Sequence, residues 1–317
     1  MHRRALVAML AAPALARAQS WPAGPIRIIA PFPPGGSVDT IARLLVPSLQ
    51  ATLGVPVVVE NRSGAAGALG TQAAARAAPD GNTWLLVFDS HATVNTLNPN
   101  AGFDATRDFA PVMLLATAPM LQTTPAGRPW QDLADVVAAA KAKPDTLSYG
   151  TVGAGSLAHL TMEVLQQRGG FTLVHVPYRG GGPRATAAIS GEIDLAIASR
   201  VGLGGQVGTR LRALAQTGAE RAASLRDLPT VAEAGFPGFA AGAFWGMLAP
   251  VAVPAAVLVR FHAALTAALA EPVVRQRLAE GQGLDIRCST PVEFGAFLAL
   301  QMSTWGAIVR ERNIRAD

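Results

Sequence analysis

Two glycine-rich corners hold the residues of this 317-residue chain best suited to gripping an anion. The first runs from Ile26 to Arg43 as IRIIAPFPPGGSVDTIAR, and the second from Leu147 to Leu160 as LSYGTVGAGSLAHL. Each passes from a short apolar segment through a corner into a helical pattern. A helix start leaves four N–H groups without internal partners and carries the positive end of the helix dipole, so such a corner is a natural carboxylate seat. Glycine permits the close backbone approach that a β-carbon blocks. The amides at Gly35, Gly36, Gly153 and Gly155 are therefore candidate donors. A carboxylate that leaves water needs such donors, because unpaired burial costs several kcal/mol. One cradle in each half of the chain suggests a cleft that closes on a single acid group.

Several side chains near these corners divide between structural and binding roles. Asp39, three residues after Gly36, is placed to cap its helix or brace the loop. Ser90 and His91 follow the strand pattern Thr83 to Phe88, where open α/β sheets bind ligands, and each suits a structural hydrogen bond equally well. Asp89 beside them would repel an anion unless it accepts a hydrogen bond from a ligand hydroxyl or a neighbouring donor. Ser156 is either an N-cap or a ligand donor, and His159 is placed to tie the loop to its own helix. Tyr178 is positioned to wall a cleft. Arg179 next to it reads equally as solvated surface or as an anion contact.

Other chemistries fit poorly. Ser156 and His159 invite a hydrolase reading, but position 158 is alanine, so G-x-S-x-G is absent, and residues three apart on a helix do not make a nucleophile–base–orienter set. The loop Asn61 to Gly67 lacks the Gly-Lys-Ser/Thr of a phosphate loop, and no G-x-G-x-x-G with an acidic partner follows the leader. The histidines are scattered and the single cysteine has no Cys-x-x-Cys mate, so neither a metal nor a cofactor is expected.

The elements that would position these corners alternate. Short apolar runs at Ile26–Ala30, Val55–Glu60, Thr83–Phe88, Leu147–Tyr149, Thr172–Val176, Leu195–Ala198 and Leu211–Gln216 predict strands. Helical patterns fall between them at Asp39–Leu53, Gly67–Ala77, Trp130–Ala142, Ser156–Gln167 and Pro183–Ser190. This is α/β organisation with mainly parallel sheets. Three proline-opened helical patterns close the chain at Pro254–Leu269, Pro272–Glu280 and Pro291–Arg312. The nearly uncharged runs Val112–Thr124 and Phe244–Ala249 read as crossovers between two lobes. The first lobe then comprises residues 19–121 and 246–317, and the second comprises residues 122–245, with the crossovers as a hinge and the ligand between the lobes.

Residues 1–18 have the form of a secretory signal peptide. His2, Arg3 and Arg4 precede the apolar run Ala5 to Leu15, and Ala16-Arg17-Ala18 is a small-x-small cleavage site. The run is too short for a bilayer span, and no later segment is expected to qualify. The Arg3-Arg4 pair leaves twin-arginine export open beside the general route. With no cysteine at the cleavage point, the product is expected free in the periplasm. Cleavage removes three arginines and no acid, lowering the formal charge from +5 to +2, which excludes nucleic acid as a partner on charge grounds. Cys288, alone, cannot make an internal disulfide, so the fold rests on its hydrophobic core.

Eight segments in order resemble the substrate-binding proteins of the tripartite tricarboxylate transporter family, the Bug-type periplasmic receptors. They are PFPPGGSVDTIAR, VVENRSGAAGALG, DSHATVN, DFAPVMLL, LSYGTVGAGSLAHL, VHVPYRGGGPR, LRALA and LRDLPTVAEAGFPGF. The resemblance implies a two-lobed, type II periplasmic binding-protein fold that closes on a small carboxylate and serves a permease of large and small membrane subunits, with the receptor itself a monomer. It also implies that Phe32, Pro33 and Ser37 with the first corner, and Thr151 and Val152 with the second, hold one carboxylate through backbone N–H groups and bridging waters. The chain departs from the family where Ala198 stands in place of an aspartate that receives a ligand ammonium group in amino-acid binders. With Arg200 nearby, that change favours a di- or tricarboxylate, or an aromatic or hydroxy acid. A ligand-sensing domain for a membrane signalling partner would use the same closure.

Overall fold

The computed structural model describes residues 21–315, so the expected leader over residues 1–18 lies outside the described residues. The first part of the chain gives β1 (Ile26–Ala30), α1 (Ser37–Leu53), β2 (Val57–Asn61), α2 (Ala68–Ala75), β3 (Thr83–Phe88), α3 (Val94–Leu97) and β4 (Phe109–Pro119). The middle gives β5 (Leu121–Pro125), α4 (Leu133–Ala142), β6 (Ser148–Thr151), α5 (Leu157–Gly169), β7 (Val174–Pro177), α6 (Gly181–Ser190), β8 (Leu195–Ala198) and β9 (Leu211–Gln216). The chain then returns through β10 (Gly242–Pro250), α7 (Ala255–Ala270), α8 (Pro272–Gln276), β11 (Asp285–Ile286) and α9 (Pro291–Glu311).

Two sheets result, one per lobe. Six strands in the order β11-β4-β10-β3-β1-β2 make the first, and five in the order β7-β6-β8-β5-β9 make the second. Strand β3, TWLLVF, is apolar throughout because helices cover both faces of its sheet. Trp84 and Leu86 point into one core with Ile41 and Leu45 of α1 and Phe261 of α7, where the Trp84 and Phe261 rings stack at 3.7 Å. Leu85 and Val87 point into the other, with Phe294 and Leu298 of α9. In the second lobe Tyr149, Leu195 and Ile197 face α5, whereas Ala196 and Ala198 face Ala187 and Ala188 of α6.

The sheets are mixed, which corrects the expectation of mainly parallel pairing. Strand β1 runs parallel to β2 and β3, but β10 is antiparallel to both β3 and β4, and β5 is antiparallel to β8 and β9. A chain that leaves one lobe and comes back must lay its outgoing and returning strands in opposite directions. The two crossing stretches, read from sequence as uncharged connections, are themselves strands.

Thr217 fastens that crossing. Its hydroxyl accepts from the Met120 N–H at 2.9 Å and donates to the Ala241 carbonyl at 2.8 Å, while its own N–H and C=O bond to Met120 and Ala241. The side chain is fully buried. Replacing it with valine keeps the shape and strips the hydroxyl, leaving the Met120 N–H unpaired. Thr217→Val is expected to cost about 1–3 kcal/mol in urea unfolding.

Helix caps follow local sequence. Ser156 Oγ accepts from the His159 N–H at α5, and Thr290 with Glu293 forms a reciprocal capping box at α9. By length and composition α9 is apolar enough to cross a bilayer, with a mean hydropathy of 1.3, contrary to the expectation that no later segment would be. Here it lies on β4 and buries Phe294, Leu298, Trp305 and Val309. At its end Arg312 donates to the Glu163 carbonyl of α5 at 2.9 Å, so the last helix of the first lobe also touches the second.

Candidate functional site

The two corners meet around a cavity of about 30 Å³ between the lobes. Phe32, Gly36, Ser37, Val38, Phe88 and Asp89 line it from the first lobe and Met120 from the crossing. Val152, Ala158, Gly181, Arg184, Ile197, Ala198, Ser199 and Gly202 line it from the second. Such a space holds about two water molecules. The lobes are in contact around it: Thr93 Oγ1 donates to the Gly155 carbonyl at 3.0 Å, and Gly180 abuts Pro33. This is a closed arrangement, with no room in the cavity for a molecule much larger than water.

On the first lobe an aromatic wall sets the corner. Phe32 meets Phe88 edge-on at 5.7 Å, Phe88 lies 5.3 Å from Trp245, and Trp245 Nε1 donates to Ser37 Oγ at 3.2 Å. Helix α1 begins at Ser37 after Gly36, which offers no side-chain cap. Its uncapped first turn, through Ser37 and Val38, borders the cavity. Asp39 braces the loop rather than the cavity: Oδ2 accepts the Gly35 N–H at 3.0 Å and Oδ1 pairs with Arg43 at 2.9 Å. Burial would raise its carboxyl, but Arg43, the Gly35 N–H and Asn61 hold it below the usual range.

The second corner spends its amides internally. The Gly155 N–H donates to His159 Nδ1 at 3.0 Å, the Gly153 N–H to Thr151 Oγ1 at 3.2 Å, and the Ser156 N–H to the Gly153 carbonyl. Behind them His159 stacks on His175 at 3.9 Å, and His175 bonds Thr151 Oγ1 at 2.7 Å. Burial, and then His159, pushes His175 down to about 3, so the stack carries no charge on that ring at neutral pH. Glycine type in a sequence does not disclose where an N–H points. In this arrangement Gly35, Gly36, Gly153 and Gly155 shape the corners with amides already engaged, that of Gly36 by the Pro33 carbonyl at 3.4 Å, which corrects their expected role as donors to a ligand.

Charge in the cavity comes from two residues on opposite lobes. Arg184, 2% exposed, donates to the Gly202 carbonyl at 2.7 Å and the Ile197 carbonyl at 3.4 Å, and its Nε has no partner. Burial lowers it to about 10, partly offset by Asp89, so it stays a cation at neutral pH. Asp89 is 1% exposed and neither carboxyl oxygen has a partner in hydrogen-bond geometry. Burial pushes that carboxyl well above its ordinary range, against the pull of the Ser90 N–H, the Arg184 charge and the Leu157 N–H. Sequence reasoning quoted Arg184 only as the end of a motif. It is the fourth residue of α6, which opens on Gly-Gly-Pro, and nothing in the local sequence marks it off from the other arginines.

The remaining expected residues lie beside the cavity. Ser90 donates to the Ala66 carbonyl at 3.0 Å, and His91 sits with it around a separate small space behind Phe32. Tyr178 donates to Glu192 Oε1 at 2.8 Å, Arg179 is exposed, and Arg200 lies against Gly283. Among the described residues no group of three or more His, Cys, Asp or Glu is placed to hold a metal. Burial lowers His91 to about 4, with the Ala105 backbone opposing it. Between the unfolded value of 6.5 and about 4, the unfolded chain binds a proton that the folded one refuses, so stability falls on acidification. The expected loss is up to ~3 kcal/mol. Asp89, raised rather than lowered, acts in the opposite sense, so urea unfolding at pH 7, 5 and 4 of His91→Gln beside the parent isolates the histidine: the variant should lose less.

Comparison with known proteins places the chain in a family and supports the overall fold. Residues 41–314 match the family model described as tripartite tricarboxylate transporter family receptor. Protein BugT of Bordetella pertussis is 34% identical over 297 residues, covering 93% of this chain and 91% of BugT. The solved structure of the periplasmic binding protein BugD has a TM-score of 0.88 at 30% identity, covering 94% of this chain and all of BugD. MatC from Rhodopseudomonas palustris, solved with bound malate, has a TM-score of 0.85 at 30% identity over 91% of this chain and all of MatC. With matches that run through both lobes, the chain belongs to the tripartite tricarboxylate transporter receptor family and has the two-lobed fold of its periplasmic binding proteins.

Proposed function

We propose that the chain is a periplasmic solute receptor, with no catalytic role, that captures a small carboxylate between its lobes and delivers it to a membrane permease of the tripartite type. Residues 19–121 and 246–317 form one jaw and residues 122–245 the other, and residues 1–18 direct export. The observation that carries this reading is the buried guanidinium of Arg184, a residue that lines the cavity and whose Nε has no partner, in a cavity that also meets the uncapped start of α1. A buried cation with only carbonyl partners is incompletely compensated, and an entering carboxylate supplies the missing anion. The malate bound in MatC is consistent with such a ligand.

A thermal-shift screen of mono-, di- and tricarboxylates, with amino acids as controls, tests it. A ligand that binds only the closed, folded protein stabilises it by about 2.7 kcal/mol at a hundredfold excess over Kd, so a true ligand raises the melting temperature in proportion to the logarithm of its concentration. No shift with any acid would sink the proposal. Turnover of a bound acid would move the protein out of the receptor class.

A further inference from the structure

The Asp89 carboxyl makes no hydrogen bond in this closed arrangement, although the Ser90 and Leu157 N–H groups and the Arg184 charge favour its ionised form. The residue opens the short 3₁₀ turn Asp89–Ala92 after β3, borders the cavity, and leaves both oxygens unpartnered. An unpaired buried carboxyl is costly to a fold, and serine or alanine would fit the turn without that cost. On the opposite lobe Arg184, the cavity's cation with an unpartnered Nε, is the group assigned above to the acid. Four kinds of ligand group can meet Asp89 once the carboxylate is on Arg184. A second carboxylate is repelled by the ionised carboxyl and is held only by the protonated one, and a methylene leaves the carboxyl unpartnered. An ammonium requires full ionisation in a buried site, and Ala198 contributes no second acid to help. A hydroxyl both donates and accepts, so it satisfies the carboxyl in either protonation state.

We propose that Asp89 is a specificity-determining residue that selects acids bearing a hydroxyl group near the carboxylate over their deoxy analogues. The inference rests on the receptor reading above. Burial of the carboxyl in a mostly apolar cavity, which disfavours its charge, agrees with it.

Calorimetric titration of the purified chain with matched pairs tests the assignment: malate against succinate, lactate against propionate, and aspartate as the ammonium arm. A satisfied buried hydrogen bond corresponds to roughly a tenfold preference for the hydroxy member of a pair. Asp89→Ala should shrink that preference to about twofold or less and leave the deoxy acid at least as tightly bound, whereas Asp89→Asn, whose amide still bonds a hydroxyl, keeps part of it. Asp89→Ala also removes the charge opposite the buried Arg184, so its unliganded melting temperature is measured alongside and the preference is read within each variant. Equal binding within each pair, an unchanged preference in Asp89→Ala, or tighter binding of aspartate than malate would each overturn the role of Asp89. Failure of every acid to bind would overturn the receptor reading itself, and this assignment with it.

Discussion

Arg184→Met is expected to weaken binding of every carboxylate by at least about thirtyfold. The guanidinium is the buried cation of the cavity, and truncating one partner of a buried charge contact costs about 2–5 kcal/mol, most of it from the anion left without a counter-charge. Loss should fall on all acids alike, because the residue reads the acid head rather than the rest of the solute. The change also frees the Ile197 and Gly202 carbonyls and removes the cation opposite Asp89, so the unliganded fold will itself be weaker. Arg184→Lys separates these effects. It keeps the charge, loses the fork geometry, and should bind carboxylates more tightly than the methionine variant. Isothermal titration of both, with urea unfolding of the unliganded proteins alongside, checks this. If Arg184→Met binds any carboxylate within threefold of the parent, the guanidinium is not the anchor.

The second large effect is expected at Gly180. This residue precedes α6 with φ 110° and ψ −179°, a combination open to glycine and almost nothing else, and a β-carbon there would lie 2.8 Å from Pro33 Cδ on the opposite lobe. A proline ring cannot swing aside as a leucine tip does. Gly180→Ala therefore carries backbone strain of about 1–3 kcal/mol in any state, plus a clash present only when the lobes are shut. Binding should weaken roughly ten- to a hundredfold, since closure is the step the solute must drive. Gly191→Ala is the control: its φ is 79° but nothing lies within 4 Å of the added carbon, so it should lose stability and keep its affinity. Adding Pro33→Ala to Gly180→Ala should recover affinity without recovering stability. Were affinity to follow stability alone in all these variants, the shut arrangement would not be the binding one.

Much of this molecule was legible before its structure. Strands β1, β3, β8 and β9 have the bounds their apolar runs predicted, because a run flanked by Gly, Pro or Asp leaves little freedom of register. Helix starts were displaced by a few residues wherever the cap was read wrongly: α1 begins at Ser37 and α4 at Leu133. The mixed pairing escaped notice because direction is a property of the path and not of any local run. Within the site, Phe32, Gly36, Ser37, Asp89, Val152 and Ala198 from the expected set border the cavity. The glycine amides were harder. Composition marks where the backbone can bend, but the side chains that absorb its donors, Asp39, Thr151 and His159, sit up to four residues away and compete with any ligand. Arg184 was missed for a related reason: a single cation gains meaning only when the fold strips it of water.

The placement of β10 between β3 and β4 has a consequence for biogenesis. While the polypeptide is being made, the inner edge of β3 waits for Gly242–Pro250, which emerges long after it, whereas every strand of the other sheet lies in one uninterrupted stretch. The later-starting half can thus mature first, and the earlier-starting half exposes an adhesive ribbon edge until the tail arrives. Truncations before β10 should accordingly yield an aggregating product rather than a half-working one, and a chaperone that shields nascent strands would find its client in residues near Thr83–Phe88.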